Sequence, residues 1–306
     1  MSTRREFLAL PLGVLAAAPV TRLVLGGDVM LSRHVGRLAR RRNDPAWPFR
    51  DVAGYLAAAD VAFVNLESPF SDRGRLVERG MVFKAEPATI EGLRLAGIDV
   101  VSTANNHARD CGAYGLEYTL RWLGEHGIRA AGTGVDEQAA RAGAVLERNG
   151  LRFGFLAYTY DQSNGNHKDR DPRVAMLDAE KMREDVERMR SRAEVVVVSM
   201  HAGEEYRARP GREQVEFARA AIEAGARVVA GHHPHVVQPA ERYLGGVIFY
   251  SLGNLVFDQF HRKDTQVGAL AEVTFRGAAL ERAELRRVEI VRAVPRLAAD
   301  APAVVE

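Results

Sequence analysis

The sequence is poor in the features that mark several classes of protein. Cys111 is the single cysteine in 306 residues, which excludes an intrachain disulfide and a metal site built from several thiolates. Neither charge predominates, because 42 Lys and Arg face 40 Asp and Glu, so bulk charge does not indicate a nucleic-acid partner. The chain shows no linker and no internal repeat. A composition that is 47% hydrophobic and 27% charged is typical of a soluble globular protein.

The first twenty residues differ in composition from the rest. Arg4-Arg5 is followed by Phe7-Leu8 and then by a modestly apolar stretch that ends at Val20. This order resembles a twin-arginine export signal, and the apolar stretch is too short to span a membrane. The alternative is a frayed helix with two chance arginines. We predict a twin-arginine-like signal over residues 1–20 and an extracytoplasmic location, periplasmic or weakly membrane-associated. Pro19 is unfavourable for cleavage directly before it.

From residue 21 onward, short apolar runs typical of buried strands alternate with amphipathic helices. Predicted strands cover residues 22–25, 60–65, 98–102, 128–131, 144–147, 152–158, 194–200 and 226–230. Three further segments, 247–251, 269–275 and 280–289, are predicted as closing antiparallel strands. Helices are predicted over residues 90–96, 114–124, 177–192 and 213–223. The pattern predicts one α/β domain over residues 21–295, with two packed sheets and helices outside, and a C-terminal tail over 296–306.

The most informative segment is Gly231-His232-His233-Pro234-His235, which has three histidines in five residues directly after an apolar run. Imidazole is a common ligand for divalent transition metals, and side chains in loops at strand ends can converge on an ion. Four other polar clusters also follow strand-like runs: Gly27-Asp28, Asn65-Leu66-Glu67, Asn105-Asn106-His107 and His201. This repeated placement is hard to explain by packing alone.

Each cluster also has an ordinary structural interpretation. Asp28 alone is typical of a helix N-cap, Glu67 of a surface turn and His201 of a satisfied core histidine. The Asn105-Asn106-His107 segment alone is typical of a loop. Together the clusters supply two carboxylates, one amide and three imidazoles, from Asp28, Glu67, Asn106, His201, His233 and His235. That set suffices for one or two divalent ions bridged by a carboxylate, and mixed oxygen and nitrogen ligands favour Mn, Fe or Zn.

Six motifs in order resemble the CapA family of capsule and poly-γ-glutamate synthesis proteins, in the calcineurin-like metallophosphatase superfamily. The motifs are Gly27-Asp28-Val29-Met30-Leu31, Asn65-Leu66-Glu67-Ser68-Pro69, Ala104-Asn105-Asn106-His107, His201 with Glu204-Glu205-Tyr206, Gly231-His232-His233-Pro234-His235, and Tyr250-Ser251-Leu252-Gly253-Asn254. They extend from about residue 22 to residue 260. The resemblance implies a metallophosphatase-like four-layer α/β/β/α sandwich in a single domain.

The resemblance also implies roles for the candidate residues. Asp28 matches the first ligand and Glu67 stands where a bridging aspartate is usual. Asn106, His201, His233 and His235 match further ligands, and His107 matches the catalytic histidine, a general acid. His232 is then the extra histidine of its motif.

Two departures from the superfamily pattern bear on activity. Met30 stands where a ligand histidine is usual, and Glu67 is one methylene longer than the usual aspartate. His34 is one helical turn further on and is expected on a helix surface; the alternative is that it compensates for the lost imidazole. The sequence therefore supports two hypotheses. The first is a metal-dependent phosphoesterase or related hydrolase acting on an anionic polymer or phosphoester, within or outside capsule synthesis. The second is a non-catalytic partner of a membrane-bound polymer synthase with a structural or vestigial metal.

Overall fold

Within the part of the chain that the structure describes, the larger of two sheets has nine strands and begins with the first buried segment. The computed structural model describes residues 18–73, 81–160 and 170–306. Strand order in this first sheet is β14-β13-β12-β1-β2-β3-β4, with β11 beside β1 and β15 beside β13. Its strands are β1 Val20–Val29, β2 Val61–Leu66, β3 Val100–Ser102, β4 Arg129–Ala131, β11 Asn254–Val256, β12 Val267–Arg276, β13 Ala279–Val291, β14 Val294–Leu297 and β15 Ala303–Val304. The strands β1 to β4 are parallel, which places their carboxyl ends at one edge.

The second sheet has six strands in the order β5-β6-β7-β8-β10-β9. Its strands are β5 Ala144–Arg148, β6 Leu151–Thr159, β7 Val195–His201, β8 Val228–His232, β9 Ala240–Tyr243 and β10 Gly246–Phe249. The hairpin of β5 and β6 turns at Asn149-Gly150, a dipeptide that favours tight hairpin turns. The central strands β6, β7, β8 and β10 are parallel, so this sheet also gathers its carboxyl ends at one edge.

Seven α-helices lie among the described residues. They are α1 Arg33–Arg42, α2 Arg50–Ala57, α3 Ile90–Leu95, α4 Gly112–Glu125, α5 Glu137–Ala142, α6 Ala179–Arg190 and α7 Arg212–Ala224. No helix in this part of the chain is both long enough and apolar enough to cross a membrane. The export signal is predicted over residues 1–20. Residues 1–17 of this segment lie outside the described residues.

Alternation along the strands divides the core into layers. In β1, Leu23 and Leu25 face the second sheet and pack in one cluster with Phe155 of β6, whereas Val24 faces the opposite way. The outer cluster of the first sheet includes residues of α1 to α4, and that of the second sheet includes residues of α5 to α7. The molecule is therefore a four-layer α/β/β/α sandwich, which confirms the predicted fold class.

Two details of the C-terminal half differ from the prediction. The segment predicted as a closing antiparallel strand at 247–251 is β10, which pairs in parallel with β8 and is antiparallel only to β9, a strand that was not predicted. Residues 296–306 do not form a tail, because β14 and β15 pair with β13. The 13 residues of β13 extend beyond what β14 covers, and β15 satisfies further backbone groups along the same edge.

Gly27 allows the close backbone approach that positions the end of β1. The Asp28 backbone N–H donates to Gly253 O at 2.9 Å. A Cβ atom on Gly27 would lie 2.0 Å from the same oxygen, so no larger residue fits without moving one of the two strands. The close approach to Gly253 thus explains why a glycine precedes Asp28 in this motif.

Candidate metal centre

The predicted site residues converge where the carboxyl ends of the two sheets meet. Asp28 lies near the end of β1 and Glu67 directly follows β2 in the first sheet. His201 ends β7 in the second sheet, and the two histidines of the 231–235 motif lie in the loop after β8. All seven predicted side chains are buried: Asp28, Glu67, Asn106, His107, His201, His233 and His235.

Glu67 is the clearest indication that the site fits a cation. One ligand atom each from Asp28, Glu67 and His201 lie within 4.8 Å of one another. Both carboxylate oxygens of Glu67 are buried and have no hydrogen-bond partner among the described residues. Burial, and then the charge of Asp28, raise the pKa of Glu67 well above its ordinary value. A buried unpaired carboxylate is costly, and a divalent ion would compensate its charge, so the donor set fits a metal.

Asp28 carries the negative charge of the centre. Its Oδ1 accepts a hydrogen bond from Asn65 Nδ2 at 2.8 Å, and its Oδ2 lies 3.2 Å from His235 Nδ1. Burial alone would raise the pKa of Asp28, but contacts with His232 and His235 hold it well below its ordinary value. The surroundings therefore favour the ionised form of Asp28 and the protonated form of Glu67.

The histidines of the second sheet are held in the neutral form that binds metals. His201 Nε2 lies 2.9 Å from Asn106 Oδ1 and 3.2 Å from His233 Nδ1. Burial, and then the neighbouring His233, lower the pKa of His201 well below its ordinary value. Burial also lowers the pKa of His233 to about 3. Both rings are thus available as uncharged ligands at neutral pH.

His235 faces Glu67 through one nitrogen and is oriented through the other. Its Nε2 lies 3.8 Å from Glu67 Oε1, too far for a hydrogen bond but close enough for both atoms to bind one ion at about 2.1 Å each. Its Nδ1 lies 3.0 Å from Asn254 Oδ1. Because Asn254 Nδ2 donates to Thr265 O at 2.9 Å, its Oδ1 is the acceptor, and His235 carries its proton on Nδ1.

His107 lies beside the ligands in a different setting. Its Nδ1 is 2.7 Å from Asp110 Oδ2, and its ring stacks on Phe83 with centroids 3.7 Å apart. Its Nε2 lies 3.9 Å from Glu67 Oε1. A cavity of about 410 Å³ opens at this point, lined by Met81, Asn106, His107, Tyr160, Gly203, Glu204, Glu205 and His233. The orientation is that of a group that can donate a proton into the cavity.

The sequence predicts the candidate ligands but not the residues that orient them. Asn65 bridges Asp28 and His201, Asn254 orients His235 and Asp110 orients His107. Asn65 and Asn254 lay inside the six motifs, but the sequence assigned them no partner. Asn65 is 37 positions from Asp28 along the chain, and Asn254 is 19 positions from His235, so both pairings depend on the fold.

The Met30 departure has a visible structural consequence. Met30 is fully buried, and its Sδ accepts hydrogen bonds from the Ser32 backbone N–H at 3.2 Å and from the Ser32 hydroxyl at 3.1 Å. His34 does not replace the missing imidazole, since its ring packs edge-on against Phe260. The first motif therefore contributes Asp28 alone to the centre.

Comparison with known proteins identifies the family of the chain. A family model described as "Bacterial capsule synthesis protein PGA_cap" matches residues 22–259. The chain is 31% identical over 249 residues to the "Capsule biosynthesis protein CapA" of Bacillus anthracis, a match that covers 78% of this chain and 60% of that protein. It is 30% identical over 273 residues to the "PGA biosynthesis protein CapA" of Bacillus subtilis (strain 168), covering 88% of this chain and 71% of that one.

Among solved structures, a putative 5′-nucleotidase from Staphylococcus aureus aligns with a TM-score of 0.49 at 13% identity, over 94% of this chain and 54% of that chain. The family model covers most of the chain, and the two CapA relatives match 78% and 88% of it at about the same identity. The chain belongs to the family of bacterial capsule synthesis proteins.

Proposed function

We propose that this protein is a metal-dependent hydrolase of the phosphoesterase class that acts in the synthesis, transfer or release of an anionic cell-surface polymer. The observation that carries the proposal is Glu67, whose two buried oxygens have no partner among the described residues and lie beside Asp28 and His201. The family supports the link to capsule polymers.

Six side chains would hold one or two divalent ions, with Mn, Fe or Zn favoured by the mixed donors. They are Asp28, Glu67, Asn106, His201, His233 and His235. A bound divalent ion supplies Lewis acidity, which activates water and stabilises negative charge on phosphoryl oxygens. The protein contributes a buried cradle that holds the ligands between two sheets and a cavity of about 410 Å³ for the substrate.

His107 moves the proton in the proposed reaction. The water oxygen forms the new bond to phosphorus and its proton passes to an oxygen of the product phosphate, while the bond to the leaving oxygen breaks with its electron pair on that oxygen. Nε2 of His107 gives a proton to the leaving oxygen, while Asp110 remains paired with Nδ1 at 2.7 Å and fixes the ring. The Phe83 stack limits ring rotation and keeps Nε2 directed at the cavity.

Metal analysis tests the ligand assignment. Purified wild-type protein is expected to contain Mn, Fe or Zn, and the double substitution His233→Ala with His235→Ala is expected to lose most of it, because two imidazoles are removed from a buried site. Equal metal content in the two proteins would show that the site assignment is wrong.

Substitution of His107 tests the chemistry separately from the metal. His107→Ala is expected to keep its metal while hydrolysis of an aryl phosphate falls by roughly 10²–10⁴-fold, the usual effect of removing a positioned acid. The matched control is His126→Ala, since His126 lies at the end of α4 with its Nδ1 bound to Trp122 O. The control should change neither quantity, and a loss of metal in His107→Ala would make His107 a ligand.

A second candidate function is favoured by the buried Met30, which removes one imidazole from the centre. In that case the protein is a non-catalytic partner of a membrane-bound polymer synthase, and the ion is structural. Metal in the wild-type protein without hydrolysis of any aryl phosphate would support this function. We also propose that the protein is exported, on the basis of the paired arginines at positions 4 and 5.

A further inference from the structure

His232 differs from every other histidine of the centre. It is fully buried, and neither ring nitrogen has a hydrogen-bond partner among the described residues. The other four each have a ring nitrogen within 3.2 Å of a partner: His107 with Asp110, His201 with Asn106, His233 with Tyr160 and His235 with Asn254. Leaving a buried polar group without a partner costs free energy. Packing alone therefore does not account for a histidine here.

The position of His232 directs it toward Asp28. It ends β8 and is in register with His201 of the neighbouring strand β7, so both side chains project from the same face of the second sheet. Its Nδ1 lies 3.5 Å from Asp28 Oδ1, slightly longer than a hydrogen bond. The same Oδ1 accepts from Asn65, so the two donors approach one oxygen of the carboxylate.

The neighbouring residue Met30 makes the contact between His232 and Asp28 important for ion binding. Met30 is committed to Ser32, so Asp28 is the one side chain of the first motif that can reach an ion. No second ligand from the first motif helps to fix the ion beside Asp28. The orientation of the Asp28 carboxylate therefore depends on the side chains that contact it. Partners that hold a ligand typically change metal affinity by roughly 10–100-fold.

We propose that His232 is a positioning residue for Asp28, donating its Nδ1–H to Oδ1 and thereby directing the carboxylate at the divalent ion. This inference rests on the proposed metal centre. His232 is the histidine of the 231–235 motif that does not match a ligand of the family. In this proposal it contributes to ion binding through Asp28 and does not ligate the ion itself.

Two substitutions separate this role from a structural one. His232→Leu removes both nitrogens and keeps a side chain of similar size, whereas His232→Asn retains an amide N–H near the position of Nδ1. Mn²⁺ binding to each metal-depleted protein is measured by calorimetry, and thermal unfolding is measured without metal. We expect His232→Leu to weaken Mn²⁺ binding by roughly 10–100-fold and His232→Asn to recover most of that loss.

Thermal unfolding gives the independent readout. Without metal, His232→Leu is expected to unfold close to the temperature of the wild-type protein, because leucine fills the same buried space and loses only the long contact with Asp28. Unchanged Mn²⁺ binding in His232→Leu would overturn the inference alone. A failure of His232→Asn to recover binding would also overturn it. Absence of Mn²⁺ binding to the wild-type protein would overturn the proposed function and this inference together.

Discussion

At the residue scale, Glu67 should affect stability and metal binding in opposite directions. Its pKa is raised in the folded protein, so the folded state binds more protons than the unfolded one, and stability without metal falls as pH rises above about 4.3, the ordinary pKa of glutamate. Glu67→Gln removes this cost and the ligand charge together. We expect the metal-free variant to unfold at a higher temperature than the wild-type protein at pH 7, with no difference near pH 4, and to bind little metal.

Glu187→Gln is the matched control, because Glu187 is exposed on α6 and its substitution should change neither unfolding nor metal content. Thermal unfolding of metal-depleted proteins at both pH values, with elemental analysis of the untreated proteins, provides the measurements. A lower unfolding temperature for metal-free Glu67→Gln at pH 7 would show that Glu67 has partners that compensate its charge.

At the element scale, the approach of β1 to residue Gly253 should not tolerate a side chain. Gly27→Ala would place a methyl group 2.0 Å from Gly253 O, so we expect a loss of roughly 2–4 kcal/mol of stability, in the range of severe overpacking, and impaired metal binding through Asp28. Chemical denaturation measures the first effect and elemental analysis the second. Gly54→Ala is the control, since Gly54 lies within α2 with nothing near a new Cβ.

The control should leave stability unchanged or raise it by about 0.5–1 kcal/mol, because alanine favours helix over glycine. Equal stability of the Gly27→Ala and wild-type proteins would show that β1 and the chain at Gly253 can separate without cost.

Some of the strands can be predicted from the sequence and others cannot. Local pattern located β1, β2, β7 and β8 because each is a buried apolar run that ends in polar residues, and it therefore located Asp28, Glu67 and His201. It missed β9, whose four residues are not fully buried and show no apolar run. The parallel pairing of β10 with β8 was also missed, since strand order depends on contacts that a local pattern does not contain.

The residues that orient the candidate ligands could not be predicted either, because their contacts are also not contained in a local sequence pattern. Asn65 donates to Asp28 from 37 positions away, and His232 approaches Asp28 across both sheets. A sequence indicates which side chains can ligate, but the choice between a ligand and a group that orients a ligand is made by distances of a few ångströms. The sequence alone indicates no role for His232, although it has the same chemistry as its neighbours.

At the scale of the whole molecule, export can be tested without reference to the metal. If Arg4-Arg5 is read as a twin-arginine address, Arg4→Lys with Arg5→Lys should retain the protein in the cytoplasm although charge is conserved. Fractionation of tagged wild-type and variant proteins measures the outcome. Equal amounts outside the cytoplasm would exclude the twin-arginine route, and cytoplasmic location of both would exclude export.

The candidate metal centre also lies between the two halves of the sandwich. Asp28 and Glu67 come from the first sheet, whereas His201, His233 and His235 come from the second, so one ion would link both sheets at their carboxyl ends. Unfolding separates these ligands, and an ion that binds only the folded state stabilises it by about 2.7 kcal/mol at a free concentration 100 times its dissociation constant. We therefore expect the unfolding temperature of the wild-type protein to rise continuously with added Mn²⁺.

Glu67→Gln provides the control for this titration, because it retains the sheets and loses the buried carboxylate between them. Its unfolding temperature should respond weakly to Mn²⁺ over the same range, whereas the wild-type protein should gain roughly 2–4 °C for each kcal/mol. Calorimetric scans of metal-depleted protein at a series of Mn²⁺ concentrations measure both responses. An equal response of the two proteins would mean that the ion stabilises the fold at another place, since the link between the sheets requires the Glu67 charge.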